Sequence, residues 1–350
     1  MSRALDANLK RLLQDETSKD VYDAISHELS QTYSHYIDIE LLPRGYELES
    51  QNTYFLKEEY RLAIPKVCLV QAFVVARQLL MSHLNKPGRI CTRDVRKATS
   101  VILLVDSEHL TAANTRKRLL LQQTRAAGEK RTELDREAYF VNSLLSSHLH
   151  RHTKSPVLWG HKHWLLRQYI EAQLPVNLTQ DFDKVIYVAA ERHPKNYYAW
   201  TYARDLVASR AKVDADCGAE QEEELVNTAT KWCRLHHNDI SGWSFLLHLA
   251  LGFPRHAQNT FSQTARLVQT YSWRGESVWH FLRNLVLVPA LRENQETRQA
   301  FVDLWHSVRQ DVRDVQSLDA KVLDRALAWT EIPGISGDVS ADSGMEMISR

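Results

Sequence analysis

The sequence predicts an all-α fold, an α-solenoid of stacked antiparallel helix hairpins, on three observations. Eleven glycines and nine prolines among 350 residues is a low count of breakers, and the strong helix formers Leu, Ala, Arg and Glu abound. Apolar positions recur at spacings of three and four, as in Phe182, Val185, Ile186 and Ala189, which share one helical face. Finally, a segment recurs in which a polar turn precedes a tryptophan and a basic, aliphatic helix. Its copies read HTKSPVLWGHKHWLL (152–166), HPKNYYAWTYARDLV (193–207), HHNDISGWSFLLHLAL (236–251) and RGESVWHFLRNLVL (274–287). An earlier copy, DSEHLTAANTRKRLLL (106–121), has Ala113 in the tryptophan's place. The anchors at 113, 159, 200, 243 and 279 stand 46, 41, 43 and 36 residues apart, room for two helices and a turn in each unit.

In chain order, residues 1–90 read as an N-terminal helical cap over the first hairpin. It holds amphipathic helices over 4–14 and 20–36, an extended stretch over 39–55 and an apolar helix over 65–82. Residues 91–330 read as the repeats, continuous with the cap, with further helices over 93–105, 179–193, 224–237 and 260–272. The acidic stretch 210–224 is expected as an insertion, and 331–350, rich in Gly, Ser and Asp, as a disordered tail.

Forty-four Lys and Arg against forty-three Asp and Glu give a formal charge of +1, which argues against nucleic acid or an anionic membrane as a global partner. Cys68, Cys91, Cys217 and Cys233 form no C-x-x-C pair, which speaks against a zinc ribbon or redox dithiol. The charged N-terminus and the absence of an apolar run of membrane length lead to the expectation of a cytoplasmic protein. His148, His150, His152, His161 and His163 cluster, and His148 and His152 have a helical metal-ligand spacing. No carboxylate or cysteine completes a set nearby in sequence, so a basic, partly titratable edge is expected rather than a metal site.

Pro194, Asn196, Tyr197, Trp200, Arg204 and Leu206 resemble the P-x-N-Y-x-x-W-x-x-R-x-x-L signature of protein prenyltransferase α-subunits, with the arginine displaced by one. The first unit, with Thr111-Ala112, Asn114 and Arg116-Lys117, is most similar to the repeat-containing branch of that family, the α-type chain of a third-type geranylgeranyltransferase. The resemblance implies a right-handed superhelix that clasps a separate β-subunit. That subunit would carry the zinc and the isoprenoid diphosphate, with no cofactor bound by this chain, and the partner substrate would be a protein with a C-terminal cysteine.

It also implies site residues. Lys154, five residues before Trp159, matches the family's catalytic lysine, a compact cation suited to a departing diphosphate. Lys195, Asn196, Tyr197, Tyr198 and His161 are expected on the edge facing the diphosphate and the β-subunit. From the residues alone, Asn196 also reads as a helix cap, Tyr197 as a hairpin-fixing ring, and Trp159, Trp200, Trp243 and Trp279 as inter-helix core. Arg116 and Arg204 read as partners of carboxylates in neighbouring units. A catalytically silent helical scaffold is the alternative function; a tetratricopeptide array fits less well, because its period is shorter.

Overall fold

The computed structural model describes residues 17–43, 46, 53–122, 127–213 and 219–330. The expected helix over 4–14 and the tail over 331–350 lie outside them. Among the described residues the protein is predominantly helical, with fourteen helices and one small sheet. It divides into two compact units, Met1–Cys217 and Gly218–Arg350.

In the first unit, α1 (Thr17–Glu28) buries Val21, Tyr22 and Ile25. The sequence pattern carries this helix to residue 36, but it stops at 28. There the side chains of Ser30 and Gln31 both donate to the His27 carbonyl, at 2.6 and 3.2 Å, in place of a further helical turn. A sheet follows that helical periodicity did not anticipate: β1 (Asp38–Leu42), β2 (Leu56–Glu58) and β3 (Arg61–Pro65), ordered β1-β3-β2. β1 runs parallel to β3 with Ile39 opposite Leu62, and β2 runs antiparallel to it. Ile39, Leu62 and Ile64 are buried, which fixes the register.

Pro65 ends β3 and caps α2 (Lys66–Asn85). By length and composition α2 is apolar enough to cross a membrane, with mean hydropathy 1.5 over an 18-residue stretch, whereas no such run was expected. It packs against α1 and, across residue 90, along α3 (Thr92–Val105), with Leu69, Ala72, Ala76 and Leu80 buried. The cap and the first repeat therefore share one core.

The hairpins of this unit continue through α4 (Leu110–Gln122), α5 (Ala127–Leu145), α6 (Pro156–Glu171), α7 (residues 178–192) and α8 (Tyr197–Val213). α7 is α-helical over Leu178–Asp181 and Tyr187–Arg192, with a π-helical turn over Phe182–Ile186 between them. The helices that carry anchors, α4, α6 and α8, lie side by side. The second unit holds α9 (Ala219–Leu235), α10 (Ile240–Gly252), α11 (Ala257–Tyr271), α12 (Glu276–Leu285), α13 (Gln295–Arg309) and α14 (Leu318–Trp329). Here α10, α12 and α14 are neighbours, as are α11 and α13.

Trp159, Trp200, Trp243 and Trp279 are all fully buried. The indole N–H of Trp159, Trp243 and Trp279 donates to the carbonyl six residues earlier, at Thr153, His237 and Trp273, over 2.9, 2.9 and 2.7 Å. Such a bond lets a polar edge be buried without loss. Two of the rings also meet the next hairpin two residues past its anchor: Trp159 meets Tyr202 at 5.7 Å, and Trp243 meets Phe281 at 4.9 Å. Trp159 and Trp243 thus close their own turn and fill the gap to the following hairpin.

Candidate functional site at the turn edge

The turn before each anchor is held by a cap four residues upstream. Ser155, Asn196 and Asp239 accept from backbone N–H groups of the first helical turn, and the anchor N–H donates to the cap carbonyl. Successive turns are then tied together. Ser155 Oγ donates to the Ser107 carbonyl at 3.0 Å, Asn196 Nδ2 to the Thr153 carbonyl at 2.6 Å, and in the second unit Ser277 Oγ to the Asn238 carbonyl at 3.0 Å. This ladder sets the edge on which the lysines and tyrosines of the first unit stand.

On that edge Lys154 is half-buried, its Nζ 5.9 Å from the centre of the Tyr197 ring. Tyr197 is 52% exposed and packs on Tyr198 at 4.1 Å. The hydrogen bond that the Tyr198 hydroxyl donates to Tyr197, with some burial and the nearby Glu108 carboxylate, raises the Tyr198 pKa, so its hydroxyl stays protonated. Lys195 is exposed, with φ of 60°, a left-handed conformation unfavourable for a side chain with a Cβ. His150 packs against His193 beside them, ring centres 4.4 Å apart and planes tilted by 40°. The structure therefore brings together Lys154, Lys195, Tyr197, Tyr198 and two histidines: one half-buried and one exposed ammonium with hydroxyl groups, suited to an anionic oxygen-rich group.

Two expected edge residues lie elsewhere. Asn196 is fully buried, and its amide also reaches the Ala189 carbonyl at 3.3 Å, so all its contacts are internal. His161 is fully buried on α6, with Nε2 3.3 Å from Glu137 Oε1 and its ring edge-on to Trp164. It belongs to the core because the face of α6 that carries it packs on α5. Burial pushes the His161 pKa down to about 4, against the pull of Glu137 and helped by Lys117 and Arg116.

Beside it, Arg116 holds Glu137 in a bidentate pair, Nε to Oε1 at 2.7 Å and Nη2 to Oε2 at 2.8 Å. Nη1 of Arg116 donates to the Arg96 carbonyl, Thr99 and Ser100, and the guanidinium lies 4.2 Å over Phe140. Burial alone would raise the Glu137 pKa; Arg116, then His161 and Arg96, outweigh it and hold the carboxyl below its ordinary value. Arg204 is half-buried on α8, and burial lowers its pKa.

The other clustered histidines separate. His148 Nε2 sits 3.4 Å from Asp38, His152 Nε2 meets the Leu103 carbonyl at 2.9 Å, and His163 Nδ1 lies 3.0 Å from Asp205. Among the described residues, no three His, Cys, Asp or Glu side chains gather as metal ligands.

The buried His161 makes stability depend on pH. Its folded pKa lies below the unfolded value, so the unfolded chain takes up the proton first as pH falls, and stability is lost between about pH 6.5 and 4. At about 1.4 kcal/mol per pKa unit, the loss amounts to ~3 kcal/mol. Urea unfolding at pH 7.0 and 4.5 is expected to show it, and His161→Gln to flatten the pH dependence against wild type. An unchanged dependence in that variant would contradict the assignment. Glu137 acts with the same sign at lower pH, below its unfolded pKa.

Comparison with known proteins matches residues 158–271, less than half of the chain, to the family model of the ECM9 middle domain. The chain is 23% identical over 209 residues to human protein prenyltransferase alpha subunit repeat-containing protein 1, covering 53% of this chain and 47% of the relative. It is 28% identical over 209 residues to the Danio rerio protein of the same name, covering 55% of this chain and 46% of the relative. The chain thus spans about half the length of the curated relatives it matches. At this level it is similar to prenyltransferase α-subunit repeat proteins.

Proposed function

We propose that this chain is the α-type subunit of a cytoplasmic, two-chain protein prenyltransferase, inactive alone. Its hairpins would continue as a right-handed solenoid around a β-subunit that carries zinc and the isoprenoid diphosphate, and the pair would geranylgeranylate a C-terminal cysteine of a protein substrate. The observation that carries the reading is Lys154, half-buried over Tyr197 on an edge tied turn to turn. Similarity to relatives named for prenyltransferase α-subunit repeats supports it. Its ammonium would stabilise charge developing on the diphosphate leaving group, with Lys195 and the tyrosine hydroxyls beside it.

Co-expression with a prenyltransferase β-chain is expected to give a stable heterodimer that modifies a C-terminal cysteine substrate. Lys154→Ala is expected to slow turnover about 10²-fold with the heterodimer intact. Failure to associate with any β-chain would sink the reading. A silent scaffold is the second reading, favoured by the internal use of Asn196 and the burial of His161. It requires partner binding without turnover.

A further inference from the structure

A pocket of 320 Å³ opens between the loop at Tyr36 and helices α5 to α8, among residues assigned no role above. Its wall is built in. Tyr139 OH donates to the His35 carbonyl at 2.7 Å and accepts from Tyr33 N, Ser143 Oγ accepts from Ile37 N, and Asn142 Nδ2 donates to Tyr36 OH at 2.9 Å. The loop is thereby stapled to α5 at Tyr139, Asn142 and Ser143, which share one face.

The polar groups inside are unequally used. Both oxygens of Asp181 are engaged, by Lys162 Nζ at 2.7 Å and by Tyr202 OH at 2.6 Å. Asp135 accepts from Tyr169 OH at 2.5 Å and has Arg131 3.6 Å away at the mouth. Lys162, 4% exposed, carries three N–H donors, and Asp181 takes one of them. Tyr36 OH accepts twice, from Asn142 and from Gln180, and its own proton has no acceptor among the described residues. Burial, reinforced by Asp181, pushes the Tyr36 pKa up to about 12, so the hydroxyl remains a donor at neutral pH. The counterpart, Asn142 Oδ1, is an acceptor without a partner, but it is sealed from solvent. The surplus capacity on offer is therefore donor capacity, next to a buried cation whose carboxylate partner is already saturated.

We propose that this pocket binds a carboxylate, whose oxygens accept from Lys162 Nζ and Tyr36 OH, with Arg131 at the entrance. Leu165, Leu166, Pro175 and Val176 also line it and suit a short hydrocarbon stem. The carboxylate comes from a free organic acid or from a peptide end, and the same chemistry receives both.

The test is isothermal titration of the full chain with succinate at constant ionic strength, with chloride as control. Saturable binding is expected, weakened about tenfold or more by Tyr36→Phe. Lys162→Met alone would strand Asp181, so the paired variant Lys162→Met/Asp181→Asn is used; it should bind no succinate while unfolding at a similar urea midpoint. A C-terminal carboxylate peptide that displaces succinate points to a polypeptide source, and failure to displace points to a free acid. Heats equal to chloride, or an unchanged affinity in Tyr36→Phe, overturn the proposal.

Discussion

Glu137→Ala is expected to destabilise the first unit by about 3–5 kcal/mol, because it leaves the Arg116 guanidinium buried without its counter-charge. Arg116 is 4% exposed, and its remaining partners, the Arg96 carbonyl and two hydroxyls, are neutral. They can accept hydrogen bonds but cannot balance the charge. The paired variant Arg116→Met/Glu137→Leu removes both charges and keeps apolar volume beside Phe140, so it should recover most of the loss. Urea unfolding followed by far-ultraviolet circular dichroism measures each step. A loss under about 1 kcal/mol for Glu137→Ala would show that solvent reaches the pair.

Trp243→Ala is expected to cost the second unit about 3–5 kcal/mol. The ring is fully buried, packs on Phe281 and closes its turn through the His237 carbonyl. Removing it empties a volume that neither α10 nor α12 can refill without moving, and it frees a carbonyl in a turn. Trp243→Phe keeps much of the contact and should lose less than half as much. Hydrogen exchange across residues 219–330 localises the effect, and a variant whose amides there stay as protected as wild type would refute the role.

The tryptophan frame was legible because one large residue recurs at hairpin spacing, and a buried ring of that size leaves few alternatives to a core role. The caps were legible in principle as well. Asn196 was read as a cap and is one; Ser155 and Asp239 are equally good N-cap residues, each four before an anchor, and the same spacing identifies them. His161 was misplaced because what surrounds it, Glu137 and Arg116, comes from other helices at 24 and 45 residues' remove, beyond any local pattern. The overrun of α1 has a local cause: Ser30 and Gln31 differ little from helical residues in polarity, and only their bonds to His27 end the helix. The extended stretch expected over 39–55 covers most of β1, but the pairing into a sheet escaped because β2 is three exposed residues long, too short to display an alternation. The pocket was invisible for a related reason, since its proposed donors Tyr36, Lys162 and Arg131 come from a loop, α6 and α5, and no two of them share a motif.

The turn ladder has a direction. In each bond the side chain of the later turn donates to the backbone of the earlier one: Ser155 to Ser107, Asn196 to Thr153, Ser277 to Asn238. A chain leaving the ribosome N-terminus first would thus present every acceptor before its donor is made, so each new hairpin docks on a finished template. As far as these bonds go, truncation from the C-terminus removes donors and leaves carbonyls that water can satisfy. Within each unit, truncation from the N-terminus instead takes away the carbonyls to which the later turns are tied.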